Sequence, residues 1–160
     1  LLGPLTNPAK AKHQVLGVFD KKWVEPMANV LKALGSKHVL VVHASDGLDE
    51  ISIGASTFVA ELKEGDIRCY DIEPEQFDLK REAVESLAIN NAEESLAVIN
   101  SVFDGQTGPA RDIVVLNVGA AIYAADIADS LDEGIKQAQS VIDNGMAKQK
   151  LQDLIHCTNR

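Results

Sequence analysis

Cysteine and basic residues are both scarce in this 160-residue sequence. Its two cysteines, Cys69 and Cys157, lie far apart and match no metal-ligand spacing, so the sequence predicts neither a disulfide framework nor a zinc module. Cysteines used in this way are typical of a reducing compartment, and we predict a cytoplasmic protein. The 15 basic residues face 24 acidic ones, which gives a net charge of -9. Because nucleic-acid-binding surfaces need an excess of Lys and Arg, we expect no nucleic-acid partner.

Long hydrophobic runs are also absent. No stretch reaches the roughly 20 apolar residues of a membrane-spanning helix, and none has the pattern of a signal peptide, so we expect no membrane partner. The sequence opens without Met in a Gly- and Pro-containing loop over residues 1–13, from which we expect part of a longer protein. A hydrophobic content of 46% over this length predicts one domain with a core, residues 1–160.

The most informative stretch is an apolar run that ends in carboxylates. Residues 39–43 have the pattern of a strand buried on both faces, and Asp46, Asp49 and Glu50 follow it. In open α/β sheets, ligands bind at the carboxyl ends of the strands. Neighbouring carboxylates are costly unless a cation neutralises them, and Mg2+ is the usual hard divalent cation. Charge alone leaves two interpretations open, a metal site and a solvated acidic loop.

The first half of the sequence alternates strand and helix patterns. A strand over residues 15–18, a helix from about Trp23 to Gly35 and the strand over 39–43 form a βαβ unit. Two further strands, 57–62 and 67–72, flank a turn at Glu64-Gly65-Asp66 and predict a hairpin. We therefore predict an α/β fold with a mixed, mainly parallel sheet flanked by helices.

The second half is mostly helical. Asn91 with Glu94, and Ser130 with Glu133, form N-terminal capping pairs, each followed by an apolar stripe. The Ala-rich segment over residues 110–130 is apolar almost all round, which predicts a central, buried helix. A last helix is predicted over residues 146–156.

Several polar residues allow a structural interpretation beside a functional one. Asp46 in a Ser-Asp-Gly sequence favours a turn that its side chain stabilises. His43 ends a buried strand, and we favour a hydrogen-bonded core histidine over a catalytic one. Arg111 and Asp112 follow Gly108-Pro109 at a predicted helix start. They could form an anion site there. We favour a structural interpretation, in which Asp112 stabilises the helix dipole and Arg111 pairs locally. The remaining histidines predict no site.

Three blocks of the sequence resemble signature blocks of the anthranilate phosphoribosyltransferases. Their order and spacing agree over essentially the whole chain, and the three together are far more specific than any one. The blocks are Gly3-Pro4-Leu5-Thr6-Asn7-Pro8-Ala9, then His43 with Asp46-Gly47-Leu48-Asp49-Glu50, then Asn91-Ala92 with Gly108-Pro109-Ala110-Arg111-Asp112 and Leu116-Asn117.

The resemblance implies a Mg2+-dependent transferase of tryptophan biosynthesis, a glycosyltransferase that joins anthranilate to phosphoribosyl pyrophosphate and releases pyrophosphate. It implies the α/β domain of the nucleoside phosphorylase and phosphoribosyltransferase class, in an enzyme that is usually a homodimer. The family's metal site corresponds to Asp49 and Glu50. Its Gly-Pro near the anthranilate channel corresponds to Gly3 and Pro4.

The resemblance also implies missing parts. The family's glycine-rich phosphate loop, its Lys-His-Gly-Asn block, its metal-contacting Ser and its anthranilate-contacting Arg precede the Gly-Pro-Leu block, and this sequence contains none of them. We therefore expect a C-terminal portion that lacks the helical domain, carries no catalytic residue of its own and is inactive alone. Two alternatives stay open: a non-catalytic paralogue that binds nucleic acid or protein, and a pyrimidine nucleoside phosphorylase.

Overall fold

A four-stranded sheet organises the chain, in the order β1-β2-β3-β4. The structure is a computed structural model, and it describes residues 2–159, so residues 1 and 160 of the predicted domain lie outside it. The strands are β1 (His13–Gly17), β2 (His38–Ala44), β3 (Thr57–Lys63) and β4 (Asp66–Ile72).

The parallel part of the sheet is smaller than the sequence predicted. β1 and β2 pair parallel, whereas β2 with β3 and β3 with β4 pair antiparallel. The connections explain this result, because a parallel neighbour needs a crossover, usually a helix, and only the β1–β2 connection contains one. The predicted βαβ unit and the mixed α/β class are confirmed.

Six α-helices and three short 3-10 segments complete the described residues. The α-helices are α1 (Leu2–Leu5), α2 (Val24–Ala33), α3 (Ala92–Phe103), α4 (Pro109–Ala124), α5 (Leu131–Asp143) and α6 (Met146–Thr158). The 3-10 segments are Lys21–Trp23, Pro74–Phe77 and Val84–Leu87. The turn of helix at α1 lies inside the stretch that the sequence predicted as a loop.

Helices cover the sheet on both faces, as the apolar run in β2 predicted. Val39 and Val41 belong to the core under α2, and Leu40 and Val42 belong to the core under α4 and α5. All four are almost completely buried. The confirmed pattern follows from the alternation of side chains along a strand, which buries every residue only when both faces are covered.

The β3–β4 hairpin is also confirmed. Lys63 pairs with Asp66 across a two-residue turn in which Glu64 and Gly65 have positive φ angles of 52° and 87°. Two positive φ values are the signature of a type I′ turn, whose twist matches that of the flanking strands.

The Ala-rich helix is shorter and less buried than the sequence predicted. α4 ends at Ala124 rather than Ser130, because Asp126 adopts the left-handed conformation with φ 57° and the amide of Ile127 bonds the carbonyl of Ile122. One side of α4 packs on the sheet and on α5, where the crossing is close at Gly119 and Gly134. The opposite side leaves Val118 exposed. Composition alone does not reveal which face of an Ala-rich helix is covered.

Candidate functional site

The acidic loop, residues 45–52, lies at the edge of the sheet where β1 and β2 both end. The two strands run parallel, so their carboxyl ends meet there. The fit is close: a Cβ built on Gly17 would lie 1.5 Å from the carbonyl oxygen of Asp49. Glycine at the end of β1 is therefore what allows the loop to lie against the strand.

Asp46 stabilises the turn, as predicted. Its Oδ1 accepts the amide of Leu48 at 3.2 Å, and its Oδ2 accepts the hydroxyl of Ser52 at 2.6 Å. The Ser52 hydroxyl accepts the amide of Gly54 in turn. Both Asp46 oxygens thus bond within the loop and its continuation, which separates this residue from Asp49 and Glu50.

Asp49 and Glu50 are both exposed. Within residues 2–159, neither carboxylate makes a hydrogen bond or an ion pair with another side chain. With Val15, Val42 and Asn117 they line a pocket of about 260 Å³. Both residues thus border this pocket, and within residues 2–159 their carboxylates are not occupied by another side chain.

The donor set of the acidic loop fits a partial magnesium site. In the part of the chain that the structure describes, no cluster of three His, Cys, Asp or Glu side chains could enclose a metal ion. Mg2+ is usually held by one or two carboxylates, with water and substrate phosphates completing its octahedron. A pair of unpartnered carboxylates in an open pocket matches that coordination, whereas a closed metal cage does not.

Asn117 of α4 holds the acidic loop from the helical layer. Its Oδ1 accepts the amide of Ile51 at 3.0 Å, and its Nδ2 donates to the carbonyl of Ile51 at 2.9 Å. Ile51 directly follows Glu50 and is buried. The loop is therefore held at Asp49 by its close approach to Gly17 and at Ile51 by Asn117.

The structure does not bring Gly3 and Pro4 to the acid pair. Pro4 lines a separate groove of about 540 Å³ whose other walls include Lys12 and Gln14, at the amino end of β1. The acidic loop lies at the opposite end of the same strand. The predicted role of Gly3 and Pro4 in substrate binding stays a prediction.

His43 has the structural role that the sequence favoured. Its Nδ1 lies 2.8 Å from the carbonyl of Val18, and a carbonyl can only accept, so this nitrogen donates. The bond ties the end of β2 to the chain just after β1. His43 therefore orders the strand ends that carry the site.

Arg111 is paired, but not locally as the sequence favoured. Its buried guanidinium donates to Asp143 Oδ1 at 2.6 Å, which joins the start of α4 to the end of α5. Burial raises the pKa of Asp112, an effect that the charge of Arg111 partly offsets. Arg111 thus has a structural role in joining two helices, while its buried Nε has no hydrogen-bond partner among the described residues.

A buried polar cluster at the amino end of β2 was missed in the sequence. The ring of His38 is almost completely buried, with Asp126 Oδ1 2.6 Å from Nδ1 and Glu61 Oε1 3.1 Å from Nε2. Glu61 also accepts the hydroxyls of Tyr70 and Tyr123. Burial raises the pKa of both tyrosines, and the bond from His38 lowers the pKa of Asp126. These residues are scattered in sequence, so no local pattern could reveal the cluster.

An apolar groove of about 400 Å³ lies between α3, α4 and α5. Its walls include Val98, Ile99, Val114 and Val118, each more than a third exposed. Ile99 and Phe103 of the predicted apolar stripe of α3 therefore border this groove, whereas Leu96 of that stripe does not line it and is exposed. Only Val102 of that helix is buried.

No helix among residues 2–159 has the length and apolar character needed to cross a membrane.

Curated relatives resemble this chain closely over about half of their length. Anthranilate phosphoribosyltransferase of Thioalkalivibrio sulfidiphilus is 56% identical over 158 residues, which are 99% of this chain and 47% of that protein. The protein of the same name from Methylococcus capsulatus is 58% identical over 154 residues, 96% of this chain and 45% of that protein. The chain thus spans about half the length of the curated relatives that it matches.

Solved structures share the fold. The crystal structure of anthranilate phosphoribosyltransferase from Thermus thermophilus superposes with a TM-score of 0.86 at 41% identity, covering 95% of this chain and 45% of that one. The Saccharomyces cerevisiae protein in complex with PRPP and Mg superposes with a TM-score of 0.83 at 24% identity, over 94% of this chain and 44% of that one.

The model of the glycosyl transferase family, a/b domain, matches residues 1–148. That match covers the whole sheet, the acidic loop and the helices α1–α5. The chain belongs to this glycosyl transferase family, as its a/b domain.

Proposed function

We propose that this chain is the α/β part of an anthranilate phosphoribosyltransferase, which transfers phosphoribose from phosphoribosyl pyrophosphate to anthranilate and releases pyrophosphate. One observation carries the proposal: Asp49 and Glu50 stand unpartnered, among the described residues, at the carboxyl edge of the parallel strands, where ligands bind in α/β sheets. The names of the relatives that match almost the whole chain support it.

The acid pair is the part of the site that this chain supplies. In the reaction, negative charge develops on the departing pyrophosphate while positive charge develops on the ribose carbon. Mg2+, when bound, stabilises the leaving group as a Lewis acid. Asp49 and Glu50 would hold that ion, while Gly17 would fix the loop at Asp49 and Asn117 would fix it at Ile51, the residue after Glu50.

The proposal extends to parts that residues 1–160 do not contain. We assign the phosphate loop and the anthranilate-contacting Arg to the preceding half of the full-length enzyme, and this chain to its C-terminal portion. Gly3 and Pro4 would lie near anthranilate, although the groove beside Pro4 is distant from the acid pair along β1. The full-length enzyme would be a cytoplasmic homodimer that associates through its helical domain, with no nucleic-acid or membrane partner.

A chimeric enzyme tests the proposal. The matching part of the Thioalkalivibrio sulfidiphilus relative is replaced by this chain, which is feasible at 56% identity over 158 residues. The loss of anthranilate fluorescence in the presence of phosphoribosyl pyrophosphate and Mg2+ then reports turnover. We expect Mg2+-dependent turnover from the chimera and none from the 160-residue chain alone.

The control is the chimera with Asp49→Asn and Glu50→Gln, which removes both charges at nearly constant volume. Because neither carboxylate has a protein partner among the described residues, we expect this variant to fold normally and to lose most turnover. A folded chimera without turnover would contradict the proposed function. Equal turnover by the double variant at saturating Mg2+ would contradict the metal assignment alone.

The two alternatives from the sequence are not favoured. The matched relatives described above are named neither as pyrimidine nucleoside phosphorylases nor as non-catalytic paralogues. The net charge of -9 also does not favour a nucleic-acid-binding role.

A further inference from the structure

Asn117 makes three hydrogen bonds that leave its carboxamide a single orientation. Oδ1 accepts the amide of Ile51, while Nδ2 donates to the carbonyls of Ile51 and Ile113. A carboxamide has two N–H donors and one acceptor oxygen, so both of its donors are used. Reversal of the carboxamide would place donor against donor at Ile51, which fixes the assignment of oxygen and nitrogen.

The loop backbone that Asn117 holds comes immediately after the acid pair. Ile51 follows Glu50 directly, and its buried side chain anchors the loop in the core between the sheet and α4. Asn117 also lines the same pocket as Asp49 and Glu50. A helix residue thus satisfies both backbone groups of an irregular loop at the point where two carboxylates must keep their direction.

An apolar residue at this position would support packing alone. It would leave the amide and carbonyl of Ile51 without their partners, and buried backbone groups without partners are costly. The loop would then gain freedom to rotate at Ile51, and the adjacent Asp49 and Glu50 would no longer be held in one position. The hydrogen bonds of Asn117 to the loop, rather than its packing volume, therefore explain why this position is an asparagine.

We infer that Asn117 is a positioning residue for the divalent cation: its carboxamide fixes Ile51 and thereby aims the carboxylates of Asp49 and Glu50 into their shared pocket. The inference rests on the proposed function, because that proposal assigns the cation to these two acids. Residues that orient metal ligands typically change metal affinity by about 10- to 100-fold when they are removed.

Paramagnetic broadening by Mn2+ tests the inference without any enzymatic assay. Mn2+ is added to the 15N-labelled 160-residue chain, and the loss of amide signal at Asp49, Glu50 and Ile51 gives an apparent dissociation constant. We expect selective broadening of these amides in the unmodified chain. In Asn117→Ala and in Asn117→Leu, which retains the side-chain volume without hydrogen bonds, we expect the affinity to fall by about 10-fold or more.

Asn29→Ala is the matched control. Asn29 lies exposed on α2, and its Nδ2 donates to the carbonyl of Glu25 at 3.0 Å, the same bond to the preceding turn that Asn117 makes with Ile113. This control removes a helical Asn and its bond within the helix but no contact with the acidic loop. Its Mn2+ affinity should equal that of the unmodified chain.

The outcomes separate the inference from the proposed function. If a folded Asn117→Ala or Asn117→Leu variant binds Mn2+ as tightly as the unmodified chain, the inference is wrong while the metal assignment stands. If the unmodified chain shows no broadening at the acid pair, the inference is wrong, and the turnover of the chimera and of its double variant decides the metal assignment. If both variants lose the dispersed amide spectrum of the folded chain, Asn117 stabilises the fold and the positioning role is overturned.

Discussion

The substitution Gly17→Ala tests how tightly the acidic loop is fixed against β1. The added Cβ would lie 1.5 Å from the carbonyl oxygen of Asp49 and 2.5 Å from its carbonyl carbon, whereas real Cβ atoms essentially never approach within 3.0 Å. The difference, 3.0 minus 1.5 Å, requires the strand and the loop to separate by at least 1.5 Å. Gly17 is not among the glycines with positive φ, so the effect comes from this contact rather than from backbone strain.

Two measurable consequences follow from that displacement. Forced overpacking of this kind costs about 1–3 kcal/mol, which corresponds to a lowering of Tm by about 2–12 °C in a chain of this size. In the chimeric enzyme, a misplacement of about 1 Å at a catalytic site can reduce turnover by about 100-fold. We therefore expect a modest loss of stability together with a large loss of Mg2+-dependent activity.

Thermal unfolding followed by circular dichroism, combined with Mn2+ broadening at Asp49 and Glu50, measures both the stability and the geometry of the site. Gly3→Ala is the control for stability, because a Cβ built on Gly3 meets no heavy atom within 4 Å and its φ is not positive. If Gly17→Ala has the Tm and the Mn2+ affinity of the unmodified chain, the loop is not fixed against β1 and the reasoning fails.

Four further predictions concern other parts of the molecule. Asp49→Asn with Glu50→Gln should leave Tm within about 1 °C of the unmodified chain, since exposed residues without partners contribute little to stability. A large shift of Tm in a thermal melt would show that the two carboxylates do contribute to stability and would contradict the prediction. Gly134→Ala should lower the free energy of unfolding by about 1–3 kcal/mol in a urea titration, because its Cβ would lie 2.3 Å from the carbonyl oxygen of Gly119. The bond from His38 lowers the pKa of Asp126 below its ordinary value of 3.8. The ionised Asp126 carboxylate therefore stabilises the folded chain above pH 3.8, and this stabilisation is lost as the pH falls through the lowered pKa. In urea titrations over a range of acidic pH, Asp126→Asn should make the free energy of unfolding less dependent on pH. Sedimentation velocity should show self-association that increases with concentration, because the apolar groove is exposed, and a clean monomer at high concentration would contradict it.

The fold was predictable where a local pattern has only one structural solution. The apolar run at residues 39–43 required cover on both faces, and the Glu64-Gly65 turn required a hairpin, so both are confirmed. The strand directions were predicted less well. The fraction of parallel pairs depends on which connections contain a helix. The length of the loop after β2 does not reveal whether that loop contains one.

The sequence suggested the two acids of the candidate site but not the residues that hold their loop. Asp49 and Glu50 stand out as charge after a buried strand, and the family blocks single them out. Gly17 and Asn117 are, respectively, 32 and 68 residues from Asp49 and come from a different strand and a helix. A glycine in a strand and an asparagine in a helix have many roles, and only their close approach to the backbone of the acidic loop identified the roles of these two.

The sequence by itself determined the class of the fold and the family, and it singled out Asp49 and Glu50 as candidate metal ligands, because these depend on periodicity and on residue types in a fixed order. The tertiary structure alone decided what holds that pair in place, that Pro4 lies in a different groove, and that His38 joins Glu61 and Asp126 in a buried cluster. The physical reason is that contacts between residues far apart in the chain depend on how helices and strands pack, and no local pattern encodes that packing.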